Sequence, residues 1–334
     1  MLEIRNLNVR YLTNIGKLKA VDNVSFLIDQ GDRIGIAVES GCGKTSFIKA
    51  IVRILPSNAE VDGEIIFRGQ NLISMEDEAF RKSIRWKEIS IIQQSAMNAL
   101  NQVYRVGEQI LEAIQTHCKM TRNEALEKTE KLFEYVDIGA PRMDDYPHQL
   151  SGGMKQRVMI AMAIALNPSL LIADEPTTAL DVIVQHRILK RIIEIQKELK
   201  NSLIMISHDI SLIAQTCNKI IVMYAGKIVE CGGIDTIFYQ PCHPYTLGLK
   251  NAFPNINILD QNIVSIPGSP PSLIHPPPGC LFAERCPFSQ ARCRKETVNP
   301  VEVGEGHYVS CLFADRAEEF RQLAKKQEIW KMKL

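Results

Sequence analysis

Three short, almost uninterrupted apolar segments constrain the fold of this chain more than any other feature. They are RIGIAV (33–38), SLLIA (169–173) and SLIMIS (202–207). Apolar runs of this length are typical of parallel strands that helices cover on both faces. Segments 7–11, 24–28 and 64–69 instead alternate apolar and polar residues, which predicts strands with one buried face. The sequence therefore predicts an α/β core with a β-rich N-terminal part.

A helical insertion is predicted between the first and second apolar runs, from about residue 104 to 148. Thr121 and Glu124 have the spacing of a capping box, and Ala125, Leu132 and Phe133 supply an apolar side after it.

The amino-acid composition changes after Gly233. Two proline-bearing segments follow, PCHPYT and then IPGSPPSLIHPPPG. Proline at this density interrupts both helices and central sheets. We therefore expect an extended connector, a small cysteine-bearing appendix and a charged terminal helix from Ala314 onward.

Composition and length exclude several classes of protein. A chain of 334 residues favours about two domains, and 39 basic against 38 acidic residues give no electrostatic reason to expect nucleic acid as a partner. The longest apolar run, 158–166, has nine residues, against the roughly 18 that a membrane span needs. The N-terminus lacks the apolar core of a secretory signal, so we expect a cytosolic chain.

The segment GIAVESGCGKTSF (35–47) has the strand, loop and helix order of a phosphate-binding loop, with the helix predicted over 44–55. Gly41 and Gly43 would let successive N–H groups face phosphates, and the helix beginning at Lys44 adds its positive dipole end. Lys44 would contact the β- and γ-phosphates, and Thr45 would place its hydroxyl on Mg²⁺.

Two residues of this loop depart from expectation. Val38 stands where the pattern GxxxxGK[ST] has glycine, so the alternative is a glycine-rich turn that opens an ordinary helix. Because valine disfavours a left-handed backbone, we expect an extended conformation at Val38 and a cradle built from Gly41 onward. Cys42, at a helix N-terminus, is expected to have a lowered thiol pKa and to be protected from alkylation by bound ATP.

Two further motifs follow in the second half. SLLIADEP ends a predicted strand in Asp174 and Glu175, where ligands of parallel α/β sheets usually bind. One acid can hold hydrated Mg²⁺ while the next orients and deprotonates water. LSGGMKQ (150–156) precedes a predicted helix, so Ser151 and its neighbours offer an anion site.

LSGGMKQ followed by LLIADEPTTALD closely resembles the signature, Walker B and D-loop run of ATP-binding cassette (ABC) ATPases. The resemblance implies an α/β P-loop NTPase core with an N-terminal antiparallel β subdomain, a helical subdomain at about 96–155, and ATP and Mg²⁺ as cofactors. The residues that it assigns to nucleotide binding are Tyr11, Ser40, Gly41, Cys42, Gly43, Lys44, Thr45, Ser46, Ser151, Gly152, Gly153, Gln156 and Asp181. Those that it assigns to catalysis or Mg²⁺ are Lys44, Thr45, Gln94, Asp174, Glu175 and His208.

The resemblance also implies roles for single residues that match motifs of ABC ATPases. Tyr11 resembles the aromatic residue that stacks on adenine, and His208 the switch histidine that contacts the γ-phosphate. Asp181 resembles the D-loop aspartate at the seam between two cassettes. Gln94 resembles the Q-loop glutamine, with Gln93 as the competing choice. In such ATPases the signature of one chain completes the ATP site of another, so a second cassette is expected.

MNALN, DYPHQLSGG and PCHPYTLGL, with the proline-rich cysteine-bearing tail, resemble the ATP-binding subunits of dipeptide and oligopeptide importers. The resemblance implies a cassette over 1–235 and an extension over 236–334. It also implies two permease subunits, a second ABC ATPase subunit, an extracytoplasmic peptide-binding protein, and a peripheral location on the cytoplasmic face of the inner membrane. Nickel importers share the tail pattern, so that cargo stays open.

Four cysteines of the extension have the spacing C-x5-C-x6-C-x17-C: Cys280, Cys286, Cys293 and Cys311. Structural zinc sites usually contain tight C-x2-4-C knuckles, which are absent here, whereas iron–sulfur clusters tolerate looser spacing. The family resemblance also points to a [4Fe–4S] cluster, with Zn²⁺ as the alternative.

Two other classes of protein are alternatives to an importer subunit. A soluble ABC ATPase acting on ribosomes or nucleic acid typically holds two cassettes in one chain, with its clusters before them. A module that binds nucleotide without hydrolysis is disfavoured by the presence of both Glu175 and His208.

Overall fold

The computed structural model describes residues 1–39, 41–94, 99–178, 180–252 and 266–330. The chain forms two compact units. The first contains residues 1–28, 33–73 and 206–334, and the second contains residues 29–32 and 74–205. The predicted start of the helical subdomain, residue 96, lies outside the described residues.

The secondary structure combines strands and helices. The described strands are β1 (Leu2–Thr13), β2 (Gly16–Ile28), β3 (Arg33–Val38), β4 (Ala59–Phe67), β5 (Gln70–Asn71), β6 (Ile89–Ile92), β7 (Leu170–Asp174), β8 (Ser202–Ser207), β9 (Lys219–Tyr224), β10 (Lys227–Gly233), β11 (Val301–Gly304) and β12 (His307–Val309). The described α-helices are α1 (Lys44–Ile51), α2 (Asp77–Ser83), α3 (Val106–His117), α4 (Arg122–Tyr135), α5 (Gly152–Ile164), α6 (Val182–Leu199), α7 (Ile210–Thr216), α8 (Ile234–Tyr239), α9 (Pro244–Asn251) and α10 (Ala317–Leu323).

An antiparallel sheet with the strand order β2-β1-β4-β5 opens the first unit. Leu7 of β1 pairs with Val24 of β2, and Val9 pairs with Val61 of β4. Leu7, Val9 and Val24 are fully buried, as the alternating pattern predicts. The three alternating segments are therefore confirmed as strands, the third of which ends at Phe67.

The second sheet region of the first unit has the order β11-β12-β10-β9-β3. Strands β3 and β9 are parallel, with Val38 opposite Met223, and every residue of β3 after Arg33 is buried. Helix α1 ends at Ile51, four residues before its predicted end. The chain leaves the helix because Arg53 adopts a left-handed φ of 51°.

The second unit contains residues 202–205 of β8 together with β7 and β6, and β6 and β7 are parallel. All residues of β7 are buried, which confirms the interpretation of the apolar run. The predicted capping box of α4 is present. The Thr121 hydroxyl accepts from the Glu124 N–H at 3.3 Å, while the Glu124 carboxylate accepts from the Thr121 N–H at 2.8 Å.

The segment after Gly233 is more regular than its proline content predicts. The sequence predicts an extended PCHPYT segment, but Pro244 begins helix α9. Proline is well placed there because the first N–H of a helix has no intrahelical acceptor. The Tyr245 N–H donates to Nδ1 of His243 at 3.1 Å and caps the helix.

The extension continues the sheet of the first unit. Strand β12 pairs with β10, with Val309 opposite Glu230, and β11 pairs with β12. The predicted terminal helix from Ala314 onward is broken into α10 and short 3-10 turns at 314–316 and 327–330. Phe320 of α10 stacks on Phe288, with ring centroids 4.3 Å apart.

Candidate nucleotide site and four-cysteine site

The backbone of a phosphate-binding loop follows β3. Val38 closes the strand and is 3% exposed, so the predicted extended conformation is confirmed. Gly41 and Gly43 have left-handed φ values of 83° and 93°. Gly43 also has no room for a side chain, since an added Cβ would lie 1.9 Å from the carbonyl oxygen of Ala20. Left-handed residues in such a loop create the concave run of N–H groups that binds anions.

Helix α1 begins directly after this loop and presents the predicted phosphate and Mg²⁺ residues. Lys44 and Thr45 are its first two residues. The Tyr11 hydroxyl of β1 lies 3.0 Å from Oγ of Ser46, so the predicted adenine-stacking residue is beside the first turn of α1. His208 directly follows β8 and has an exposed side chain. Ser40, the other predicted loop residue, lies outside the described residues.

The prediction that Cys42 has a lowered thiol pKa is wrong. Its side chain is fully buried, and this burial raises the pKa of the thiol, with the charge of Glu39 acting in the same direction. Desolvation penalises the thiolate more than nearby backbone N–H groups stabilise it.

The acidic pair of the second unit lies at the carboxyl end of β7. Asp174 and Glu175 are each 7% exposed. Glu175 has a left-handed φ of 45°, which costs a non-glycine residue about 1 kcal/mol or more. Nε2 of Gln94 donates to Oε2 of Glu175 at 2.6 Å, and the Thr178 hydroxyl donates to the same oxygen at 3.1 Å. Of the two candidate glutamines, Gln94 is therefore the one that contacts the acidic pair.

The predicted signature and D-loop residues Ser151 and Asp181 cap two helices of the second unit. Oγ of Ser151 accepts from the Met154 N–H at 3.3 Å at the start of α5. Oδ1 of Asp181 accepts from the Val184 N–H at 3.0 Å at the start of α6. Gly153 packs closely against this second helix, since an added Cβ would lie 2.9 Å from Cγ1 of Val184.

Gln156 follows on α5 and is 5% exposed. Among the residues that the structure describes, its Nε2 has no hydrogen-bond acceptor. A buried amide donor without an acceptor is costly to the folded state.

The four clustered cysteines surround one small cavity of the first unit. The cavity has a volume of about 20 Å³, and its lining includes Cys280, Cys286, Cys293, Cys311 and His243. Burial raises the pKa of the Cys286 thiol and raises that of Cys311 to about 12, and the neighbouring thiols act in the same direction. Four cysteines that are widely spaced in sequence thus line one cavity.

Sequence patterns did not reveal a buried carboxylate of β10. Glu230 is fully buried and accepts from the backbone N–H groups of Cys242 and His243 at 2.6 and 3.0 Å. Nε2 of His307 lies 2.8 Å from its Oε1. The one signal in the sequence is an acid inside the strand segment KIVECGG, which does not identify its partners.

A second unpredicted carboxylate belongs to the phosphate-binding loop itself. Glu39 forms a two-pronged ion pair with Arg285, with nitrogen–oxygen distances of 2.7 and 3.2 Å. The two residues are 246 positions apart, so no local pattern connects them.

Comparison with known proteins identifies the family of the chain. Residues 21–178 match the ABC transporter family model, and residues 229–293 match the model of the oligopeptide/dipeptide transporter C-terminal region. The chain is 41% identical to the dipeptide transport ATP-binding protein DppD of Bacillus subtilis, over 97% of this chain and 98% of that protein. This chain belongs to the peptide ABC transporter ATP-binding family. It is also 42% identical to the oligopeptide transport ATP-binding protein OppD of Haemophilus influenzae, over 88% and 91% of the two chains.

Solved structures share the cassette fold. The dimeric bacterial ABC transporter cassette MJ0796 has a TM-score of 0.63 at 25% identity, over 70% of this chain and 99% of that one. CbiO1 of Clostridium perfringens has a TM-score of 0.61 at 28% identity, over 72% and 90%. The predicted P-loop ABC ATPase fold is thus confirmed, and the chain is an ATP-hydrolysing transporter subunit. No helix in the described part of the chain combines the length and apolar character needed to span a membrane.

Proposed function

We propose that this chain energises the import of dipeptides or oligopeptides across the prokaryotic cytoplasmic membrane by hydrolysing ATP. The observation that carries the proposal is its likeness, over nearly the whole chain, to peptide transport ATP-binding proteins. The match of residues 229–293 to the oligopeptide/dipeptide C-terminal region supports the same cargo class. In this proposal the cassette spans 1–235, with its helical subdomain at about 96–155, and the extension spans 236–334.

In the proposed site, Lys44 and the loop N–H groups bind the β- and γ-phosphates. Thr45 and Asp174 offer a hydroxyl and a carboxylate, the hard oxygen ligands that suit Mg²⁺, an ion that neutralises charge on a transferred phosphoryl group. Glu175 orients the attacking water and takes its proton. Gln94 supports this role because its 2.6 Å hydrogen bond fixes the orientation of the Glu175 carboxylate.

A second cassette completes the site. Ser151 opens helix α5 with the N-terminal geometry that binds anions. Val182 and Ile183, directly after Asp181, are 79% and 66% exposed, which suits an interface that forms on dimerisation.

The permease subunits would bind the helical subdomain. Val103 and Tyr104 are 74% and 58% exposed, and Tyr104 borders a groove of about 500 Å³ beside α3. Contact with two permeases places the chain on the cytoplasmic face of the membrane, with the extracytoplasmic peptide-binding protein reached through the complex. No nucleic acid takes part.

The four-cysteine cavity is proposed to hold a [4Fe–4S] cluster. Four thiolates are the ligand set of such a cluster, and all four line one cavity. A single Zn²⁺ would bring its sulfur ligands to about 3.8 Å from one another. Among the described residues, however, the group whose ligand atoms lie within 4.8 Å of one another is Glu230, Cys242 and His307, and the four thiols are spaced more widely. We propose that the cluster staples an extension with little apolar core of its own.

Reconstitution with the permeases and the second cassette tests the transport function. ATP-dependent uptake of labelled dipeptide, lost in a Glu175→Gln chain that still binds ATP, is the expected result. Uptake of nickel in place of peptide would assign the cargo to the alternative. Full ATP turnover by a demonstrably monomeric chain would contradict the need for a second cassette.

Metal analysis tests the cluster separately. Protein purified without oxygen should be brown and contain about four iron atoms and four sulfides per chain, with the cluster lost in a Cys286→Ser chain. Stoichiometric zinc would overturn the assignment.

A further inference from the structure

Arg285 joins the four-cysteine site to the phosphate-binding loop. It directly precedes Cys286, and its two terminal nitrogens bind the two carboxylate oxygens of Glu39 at 2.7 and 3.2 Å. The Arg285 side chain is 6% exposed and that of Glu39 is 34% exposed. A bidentate pair with one buried partner fixes geometry as well as charge.

The guanidinium is held from several sides. Nε of Arg285 donates to the carbonyl oxygen of Pro267 at 2.8 Å, and one terminal nitrogen lies 3.3 Å from the hydroxyl of Tyr224. The Arg285 N–H donates to the carbonyl oxygen of Phe282 within the turn that connects Cys280 to Cys286. The position of this guanidinium therefore depends on the turn that carries two of the four thiols.

Glu39 connects this ion pair to nucleotide binding, because Glu39 is part of the phosphate-binding loop. It follows Val38 at the end of β3, and its carbonyl oxygen accepts from the Cys42 N–H at 3.2 Å within the loop. A carboxylate beside a phosphate cradle repels the phosphates unless a cation balances its charge. Arg285 supplies that charge and fixes the side chain whose backbone shapes the loop.

We propose that Arg285 is a positioning residue of the phosphate-binding loop, through which the four-cysteine site sets the affinity of this chain for ATP. The inference rests on the proposed nucleotide site. It assigns the extension a role in ATP binding in addition to its own folding.

ATP binding by the full chain, measured with a fluorescent ATP analogue and by competition with ATP, tests the charge balance. Arg285→Gln should weaken ATP binding about tenfold, the scale of a typical coupling between sites. Adding Glu39→Gln should restore the affinity to within about threefold, because the uncompensated carboxylate is gone. In the assembled transporter, the KM for ATP should rise while kcat changes less than about twofold.

Arg292→Gln is the matched control. Arg292 also precedes a cysteine of the site, but its ion pair with Glu296 is exposed, at 60% and 45% for the two side chains. Its removal should leave ATP affinity unchanged. Iron and zinc content measured on every variant separates loss of the ion pair from loss of the metal.

Cys286→Ser tests the connection to the four-cysteine site. It should weaken ATP binding by a similar factor, and the Arg285→Gln and Cys286→Ser effects should not add in the double variant. Additive effects would overturn the coupling through Arg285. If Arg285→Gln fails to fold, Arg285→Lys replaces it in the test. Lysine keeps the positive charge but cannot form the bidentate pair, so this variant should weaken ATP binding less than Cys286→Ser does.

The outcomes distinguish this inference from the function on which it rests. A wild-type chain that binds no ATP would contradict the nucleotide site itself. A wild-type chain that binds ATP, with Arg285→Gln unchanged in affinity and native in folding, would overturn only the role of Arg285.

Discussion

Replacing Val38 by glycine restores the usual phosphate-loop pattern, yet the structure predicts a loss of stability without a gain in nucleotide affinity. The side chain is 3% exposed in a strand buried on both faces. Losing a buried valine side chain removes about 1.5–3 kcal/mol of hydrophobic stabilisation. The backbone freedom of glycine costs about 0.5–1 kcal/mol more relative to alanine. The free energy of unfolding should therefore fall by about 2–4 kcal/mol.

Urea unfolding and ATP binding of the Val38→Gly chain should be measured together. Affinity should change less than about threefold, because residue 38 is extended and the left-handed turns lie at Gly41 and Gly43. Val38→Ala separates the two contributions, since it removes most of the side chain but keeps an ordinary backbone. A sharp rise in ATP affinity with unchanged stability would refute this reasoning.

Other residues give independent predictions. Gly43→Ala should raise the Kd for ATP more than tenfold because its Cβ has no space, whereas Gly41→Ala, with open space around the added Cβ, should be milder in the same binding assay. Glu230→Ala should lower the unfolding free energy by about 3–5 kcal/mol, since it leaves buried donors without their acceptor, and a loss below about 1 kcal/mol in urea unfolding would contradict this. Maleimide should label the partly exposed Cys118 before Cys42, with or without ATP, as read by mass spectrometry, and rapid labelling of Cys42 that ATP blocks would contradict its burial.

The features that the sequence predicts correctly are determined by residues close to one another in the chain. The capping box of Thr121 involves residues three positions apart, and the parallel strands reveal themselves through continuous apolar runs. The glycine-rich loop could also be predicted, because residues close together in the sequence determine its conformation. Its left-handed turns need glycine at Gly41 and Gly43, and the extended strand end tolerates Val38.

Predictions that depended on tertiary surroundings were less successful. A thiol at a helix N-terminus is expected to ionise easily, but Cys42 is covered by other parts of the fold, and this burial raises its pKa. Proline content likewise predicted an extended connector, although Pro244 stands at the one helical position that favours proline.

The part of the chain after residue 236 contributes more than a cysteine site, because it supplies cationic and hydrogen-bonding partners to two carboxylates that precede it. Glu39 is balanced by Arg285, and Glu230 accepts from the N–H groups of residues 242 and 243 and lies beside His307. All of these partners come after residue 236, while both carboxylates come before it. A carboxylate is costly to bury unless donors replace its water. Under the proposal that a cluster at the four cysteines stabilises this part of the chain, the cluster also stabilises the charge balance at the phosphate-binding loop and in strand β10.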